Sequence, residues 1–145
     1  MNKDLHFSTG NFEWDTPNAF FKVLDDLYCF DLDVCATKDN AKCQKFYSKN
    51  DNGLAHSWHK DGKRIWMNPP YGRKIIDWVR KAYLESQFDD CIVVCLLPAR
   101  TDTAWFHDLC THGDITFLRG RLKFGNHKNS APFPSMIVVF GERTD

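Results

Sequence analysis

Several kinds of segment are missing from this sequence of 145 residues. The longest apolar run, from Cys91 to Leu97, falls far short of the roughly 20 residues that a membrane-spanning helix needs. The first ten residues, MNKDLHFSTG, lack the apolar core of a secretory signal, so we expect the protein in the cytoplasm. The composition, 43% hydrophobic and 26% charged, is typical of a globular protein and excludes a disordered or collagen-like chain.

Metal and disulfide patterns are also absent. No Cys-x-x-Cys pair occurs among the six cysteines, which predicts reduced, mostly buried thiols. The spacing of Cys35, Cys43, His56 and His59 fits no standard zinc pattern, so we expect no metal. The length predicts a single domain over residues 1–145.

Acidic residues are missing from one long stretch of an otherwise neutral chain. Lys plus Arg and Asp plus Glu both number 19, yet no acid occurs between Ile115 and Gly141. Residues 119–128, here called the basic segment, hold Arg119, Arg121, Lys123 and Lys128. Such a segment can bind phosphates locally, although a solvated hairpin face is the alternative interpretation.

The apolar pattern predicts alternating helices and strands. Pro17 and the capping oxygens of Asp15 and Thr16 indicate a helix over 17–27. Further helices are predicted over 41–46 and after residues 73 and 103, with strands over 30–34, 64–67, 91–97, 115–118, 122–124 and 136–140. This order predicts an α/β fold, with a mostly parallel sheet and antiparallel strands at the C-terminal end. Ligands of such sheets bind beyond the carboxyl ends of the strands.

The tetrapeptide Asn68-Pro69-Pro70-Tyr71 directly follows a predicted buried strand. Two prolines fix the backbone, so the Asn68 side-chain oxygen and the Pro69 carbonyl can both accept hydrogen bonds from one amino group. These bonds free the nitrogen lone pair for attack on a methyl group and stabilise the charge that develops. The Tyr71 ring offers a face on which an extruded base can stack. A rigid turn without function is the alternative.

Several stretches in order resemble the phage-type DNA N6-adenine methyltransferase (Dam-like) family. They are residues 13–17 (EWDTP), 30–36 (FDLDVCA), 40–43 (NAKC), 66–73 (WMNPPYGR), 97–106 (LPARTDTAWF), 120–124 (GRLKF) and 131–135 (APFPS). The resemblance implies a minimal Rossmann-like sheet that uses S-adenosylmethionine to methylate N6 of a flipped-out adenine in DNA. The chain is too short for a separate target-recognition domain, so we expect that loops, the basic segment or a second copy in a homodimer supply any sequence preference.

The resemblance further implies roles for individual residues. The cofactor would be held by Trp14, Asp15, Thr16, Pro17, Asp33, Ala36 and Asn68, with Asn68, Pro69, Pro70 and Tyr71 as the catalytic set. DNA contacts are expected from Arg73, Arg100, Arg119, Arg121, Lys123 and Phe124, with Phe124 covering the base opposite Tyr71. The chain departs from many methyltransferases because it has no Gly-x-Gly turn, and residues 33–36 stand in that place.

Two other classes of function remain open at this point. The same tetrapeptide suits methylation of cytosine N4 or of a glutamine side chain, because an amide nitrogen has the same delocalised lone pair. A non-catalytic DNA-binding protein on this fold would need no cofactor. Product analysis separates the acceptors, and cofactor binding separates the enzyme from the binding protein.

Overall fold

The computed structural model describes residues 14–141 of the chain. The helices of this part are α1 (Asn18–Tyr28), α2 (Trp58–Asp61), α3 (Ile75–Glu85) and α4 (Ala104–Asp108). The strands are β1 (Leu32–Asp33), β2 (Arg64–Met67), β3 (Ile92–Pro98), β4 (Asp114–Phe117) and β5 (Ser135–Phe140), and short 3-10 turns lie at Gly53–Ala55 and Cys110–His112. Glu13, which the resemblance includes, lies outside the described residues.

The five strands form one sheet in the order β1-β2-β3-β5-β4. The first three strands run parallel, and β5 lies antiparallel to both β3 and β4. The predicted mixture of parallel and antiparallel strands is therefore confirmed. Every residue of β5 is buried, because β5 lies inside the sheet between β3 and β4. Strand β4 lies at the edge of the sheet and is mostly exposed.

Two predicted elements do not form. Residues 122–124 are irregular chain, not a strand, because Phe124 turns into a cluster of aromatic rings that includes Trp14 and Phe133. Residues 41–46 form bends, not a helix. Their backbone is used by Asp33, which accepts a hydrogen bond from the Lys42 amide and pairs in an isolated bridge with Phe46.

The start of α1 also differs from the prediction. Its N-cap is Pro17, and no side chain caps it. The oxygens of Asp15 and Thr16 accept hydrogen bonds from Asn40 and Asn68 instead. Asp15 and Thr16, which were predicted to cap the helix, thus bind side chains of the site described below.

The core lies on both faces of the central strands β2, β3 and β5. Of the six cysteines, Cys91, Cys95 and Cys110 are buried and Cys29 is exposed, so half of them are buried, where the sequence predicted most. Within residues 14–141 no helix has the length and hydropathy to cross a membrane. No group of three or more His, Cys, Asp or Glu side chains in that range is placed to hold a metal ion.

Candidate active site

The loops that follow β1 and β2 leave the same edge of the sheet, because the two strands are parallel. A cavity of ≈ 450 Å³ opens at this edge, between these loops and the segment that precedes α1. Its walls include eight of the residues predicted for catalysis or cofactor binding: Trp14, Asp15, Thr16, Asp33, Ala36, Asn68, Pro69 and Pro70. Residues predicted from three separate parts of the sequence therefore lie together at one cavity.

The Asn68 side chain has a defined orientation in this cavity. Its Nδ2 atom donates hydrogen bonds to the backbone carbonyl of Trp14 and to Oγ1 of Thr16, the latter at 2.9 Å. Because a carbonyl oxygen only accepts hydrogen bonds, the nitrogen must face Trp14. The Oδ1 atom is buried and has no hydrogen-bond partner among the described residues. A buried acceptor without a donor is costly, so this atom is suited to a ligand that brings an N–H group.

Asp33, the last residue of β1, is buried at the cavity wall with only 2% of its surface exposed. Its carboxylate accepts hydrogen bonds from the backbone amides of Cys35 at 3.2 Å and Lys42 at 3.0 Å. Burial raises the pKa of Asp33 to about 6, and these bonds and the Lys42 charge only partly oppose that shift. The carboxylate both organises the loop after β1 and places negative charge at the cavity.

Two further wall residues, Asn40 and Lys42, were not predicted as site residues. Asn40 donates to Asp15 Oδ1 at 3.0 Å, and the Lys42 ammonium donates to Asn18 Oδ1. They therefore join the loop after β1 to the segment before α1. Both lie in the stretch 40–43, which is part of the family resemblance, and that resemblance could have indicated them as site residues.

The cavity wall also includes residues that were not predicted as site residues. Gly53 and Trp78 pack there, and a Cβ atom on Gly53 would lie 2.4 Å from the Val34 carbonyl oxygen. Glycine is therefore required for this close approach. Lys74, which precedes α3, adds a positive charge to the same cavity.

Tyr71 does not line the cavity. Its ring is buried, its hydroxyl donates to the Leu96 carbonyl at 2.9 Å, and the rings of Phe124 and Phe133 lie edge-on to it. The face predicted to stack on a base is thus covered by the chain that follows β4. Phe124 is 1% exposed and packs in this aromatic cluster.

The remaining predicted residues do not line the cavity. Pro17 is the N-cap of α1. The five predicted cationic DNA contacts are all exposed: Arg73, Arg100, Arg119, Arg121 and Lys123. The Arg100 guanidinium lies over the Phe133 ring, 6.0 Å from its centroid.

Comparison with known proteins gives the same family as the resemblance seen in the sequence. The family model described as DNA N-6-adenine-methyltransferase (Dam) matches residues 8–143. A DNA N-6-adenine-methyltransferase of Escherichia phage T1 is 42% identical over 94 residues, which are 64% of this chain and 38% of that relative. Another, of Haemophilus phage HP1 (strain HP1c1), is 31% identical over 137 residues, which are 88% of this chain and 77% of that relative. The chain thus spans less than half of the T1 protein. The matched range and these relatives establish that this chain belongs to the DNA N-6-adenine-methyltransferase (Dam) family.

Proposed function

We propose that this protein transfers a methyl group from S-adenosylmethionine to N6 of adenine in DNA. The observation that carries the proposal is that Asn68 lines a cavity and that its buried Oδ1 atom has no hydrogen-bond partner among the described residues. Family membership supports the reaction, and the relatives' names specify adenine in DNA. We expect the protein to act in the cytoplasm, where bacterial and phage DNA is found.

The cavity suits the proposed methyl donor. Its volume of ≈ 450 Å³ lies in the range of roughly 300–1,000 Å³ that small-molecule sites occupy. The Asp33 carboxylate matches an ammonium group or a ribose hydroxyl, and the Lys42 and Lys74 ammonium groups match a carboxylate. Trp66 and Trp78 provide apolar wall for an adenine ring. When bound, the donor supplies an electrophilic methyl group on a sulfonium.

Asn68 and Pro69 prepare the acceptor nitrogen. Hydrogen bonds from the adenine amino group to Asn68 Oδ1 and the Pro69 carbonyl reduce delocalisation of its lone pair into the ring. The lone pair then forms the N–C bond as the C–S bond breaks, and the nitrogen afterwards releases one proton. Because the chemistry needs no further group, alignment of nitrogen, carbon and sulfur supplies most of the remaining rate enhancement.

The DNA is proposed to approach from the side of the basic segment. Exposed Arg119, Arg121 and Lys123 would neutralise phosphates there, with Arg73 and Arg100 on the neighbouring loops. A flipped adenine can reach the Tyr71 ring only after Phe124 and Phe133 move away from it. We therefore infer that base binding displaces the side chains of Phe124 and Phe133.

The direct test is incubation with isotopically labelled S-adenosylmethionine and DNA, followed by nucleoside mass spectrometry. We expect labelled N6-methyladenine from the wild type. Asn68→Ala should bind the donor in calorimetry and form no product, whereas Gln87→Ala, which changes an exposed residue just beyond the C-terminal end of α3, should remain active. N4-methylcytosine, a methylated glutamine or retained activity of Asn68→Ala would each overturn the proposal. Absence of donor binding would indicate a DNA-binding protein without catalysis.

A further inference from the structure

We propose that Thr16 is a positioning residue for catalysis, because its hydroxyl oxygen sets the rotamer of the Asn68 amide and so directs Oδ1 toward the acceptor amino group. This inference rests on the proposed function. It also differs from the sequence-based expectation, in which Thr16 binds the cofactor or caps a helix. The Thr16 side chain is buried, at 5% exposure, so solvent does not compete for its oxygen.

The first argument is the pairing of the Asn68 nitrogen. Its two hydrogens have two acceptors, the Trp14 carbonyl and Thr16 Oγ1. Two acceptors fix the plane of the amide, whereas one would leave it free to rotate about its last torsion, which has a broad energy profile. The orphaned Oδ1 atom is therefore held in place by bonds made at the other end of the same group.

A second argument is that Thr16 Oγ1 has no role in capping. The N-cap of α1 is Pro17, which makes no side-chain cap bond. Pro17 has φ −61° and ψ 134°, and its carbonyl accepts a bond from the Phe21 amide, so the chain enters the helix without using the threonine hydroxyl. The bond to Asn68 is the contact of this oxygen that the structure shows.

The backbone around Thr16 is held firmly enough for this task. Asp15 donates from its amide to Asn126 Oδ1 at 3.0 Å, and its carbonyl accepts from the Gly125 amide at 2.9 Å. The Asp15 side chain also accepts from Asn40. With these bonds on the preceding residue and Pro17 on the following one, Thr16 presents its oxygen from a fixed backbone.

The kinetic test compares Thr16→Val, which keeps the shape but removes the acceptor, with Thr16→Ser, which keeps the acceptor. We expect Thr16→Val to lower kcat about tenfold, the effect of one neutral hydrogen bond, with KM for DNA and donor affinity unchanged. Thr16→Ser should restore most of kcat. Equal loss in both variants together with weaker donor binding would assign Thr16 to the donor instead and overturn the proposal, as would wild-type kcat in Thr16→Val.

A second test does not depend on activity. In ¹⁵N-edited NMR spectra of the wild type, both Asn68 side-chain amide protons should exchange slowly with solvent, and their signals are assigned by their loss in Asn68→Ala. In Thr16→Val one of the two should lose protection, and in Thr16→Ser it should regain it. Unchanged protection in Thr16→Val would contradict the positioning role. If the wild type forms no methylated DNA while these signals behave as expected, the proposed function fails and the Thr16–Asn68 contact stands.

Discussion

The indole ring of Trp14 lies nearly parallel to the imidazole ring of His127, with 3.9 Å between the ring centroids and 14° between the planes. Trp14 lines the cavity, and its carbonyl accepts a hydrogen bond from Asn68. His127 belongs to the basic segment. This aromatic contact therefore joins the segment proposed to bind DNA to a residue whose carbonyl binds the Asn68 amide, the group proposed for catalysis.

This contact predicts the effect of His127→Ala on stability. Loss of the stacked pair should lower the free energy of unfolding by about 1 kcal/mol. Urea denaturation followed by Trp fluorescence measures the difference. His127→Phe retains a ring of similar size and should remain close to the wild type. Equal destabilisation by both variants would show that stacking is not what His127 contributes.

Asp33 predicts a dependence of stability on pH. Burial raises its pKa from 3.8 to about 6, so between these values the folded protein holds a proton that the unfolded chain has lost. Its contribution to the free energy of unfolding should therefore fall as pH rises from 4 to 6, by about 2 kcal/mol. The stability of Asp33→Asn relative to the wild type should rise by about that amount between pH 4 and 7.

The measurement is urea unfolding of both proteins at several pH values from 4 to 7. Asp39→Asn, which changes an exposed carboxyl, is the matched control. A constant stability difference between Asp33→Asn and the wild type across this range would mean that Asp33 is not desolvated in the folded protein.

Asn68→Asp should be less stable than the wild type although it keeps the shape of the side chain. A carboxylate oxygen would replace the nitrogen that donates to the Trp14 carbonyl and would face that carbonyl, which can only accept hydrogen bonds, although the Thr16 hydroxyl can turn to donate to the carboxylate. We expect a loss of about 1–3 kcal/mol that grows with pH, because protonation restores a donor. Unfolding at pH 5 and 8 measures it. Asn68→Ala carries no titrating group, and a pH-independent deficit in both variants would contradict this explanation.

The basic segment predicts the salt dependence of DNA binding. Arg121→Ala and Lys123→Ala should each weaken binding and reduce the slope of log K against log salt concentration by about 0.9 per lost phosphate contact. Fluorescence anisotropy at several salt concentrations gives the slope. Lys63→Ala, which removes an exposed charge beside the amino end of β2, should leave it unchanged. A slope that changes equally in all three variants would mean that these charges act without direct contact.

Local patterns in the sequence were sufficient for most helices and strands and for the position of the loop at residues 68–71. The apolar spacing around Ile75 and Val79 predicted α3, and the paired prolines after Met67 correctly marked the end of β2. These features depend on neighbouring residues, so they can be interpreted without knowledge of distant contacts. The parallel order of β1, β2 and β3 then placed Asp33 and Asn68 at one edge.

The contacts of individual side chains were decided by tertiary structure. The sequence by itself determined that residues near 15, 33 and 68 carry polar groups at the ends of elements. Only folding decided that Thr16 binds Asn68 rather than a helix end, and that Tyr71 is covered by Phe124. Each of these pairs joins residues more than 50 positions apart, and local periodicity contains no information about such partners. Tertiary structure also decided the position of β5 between β3 and β4, because burial of both faces of β5 requires neighbours that are distant in sequence.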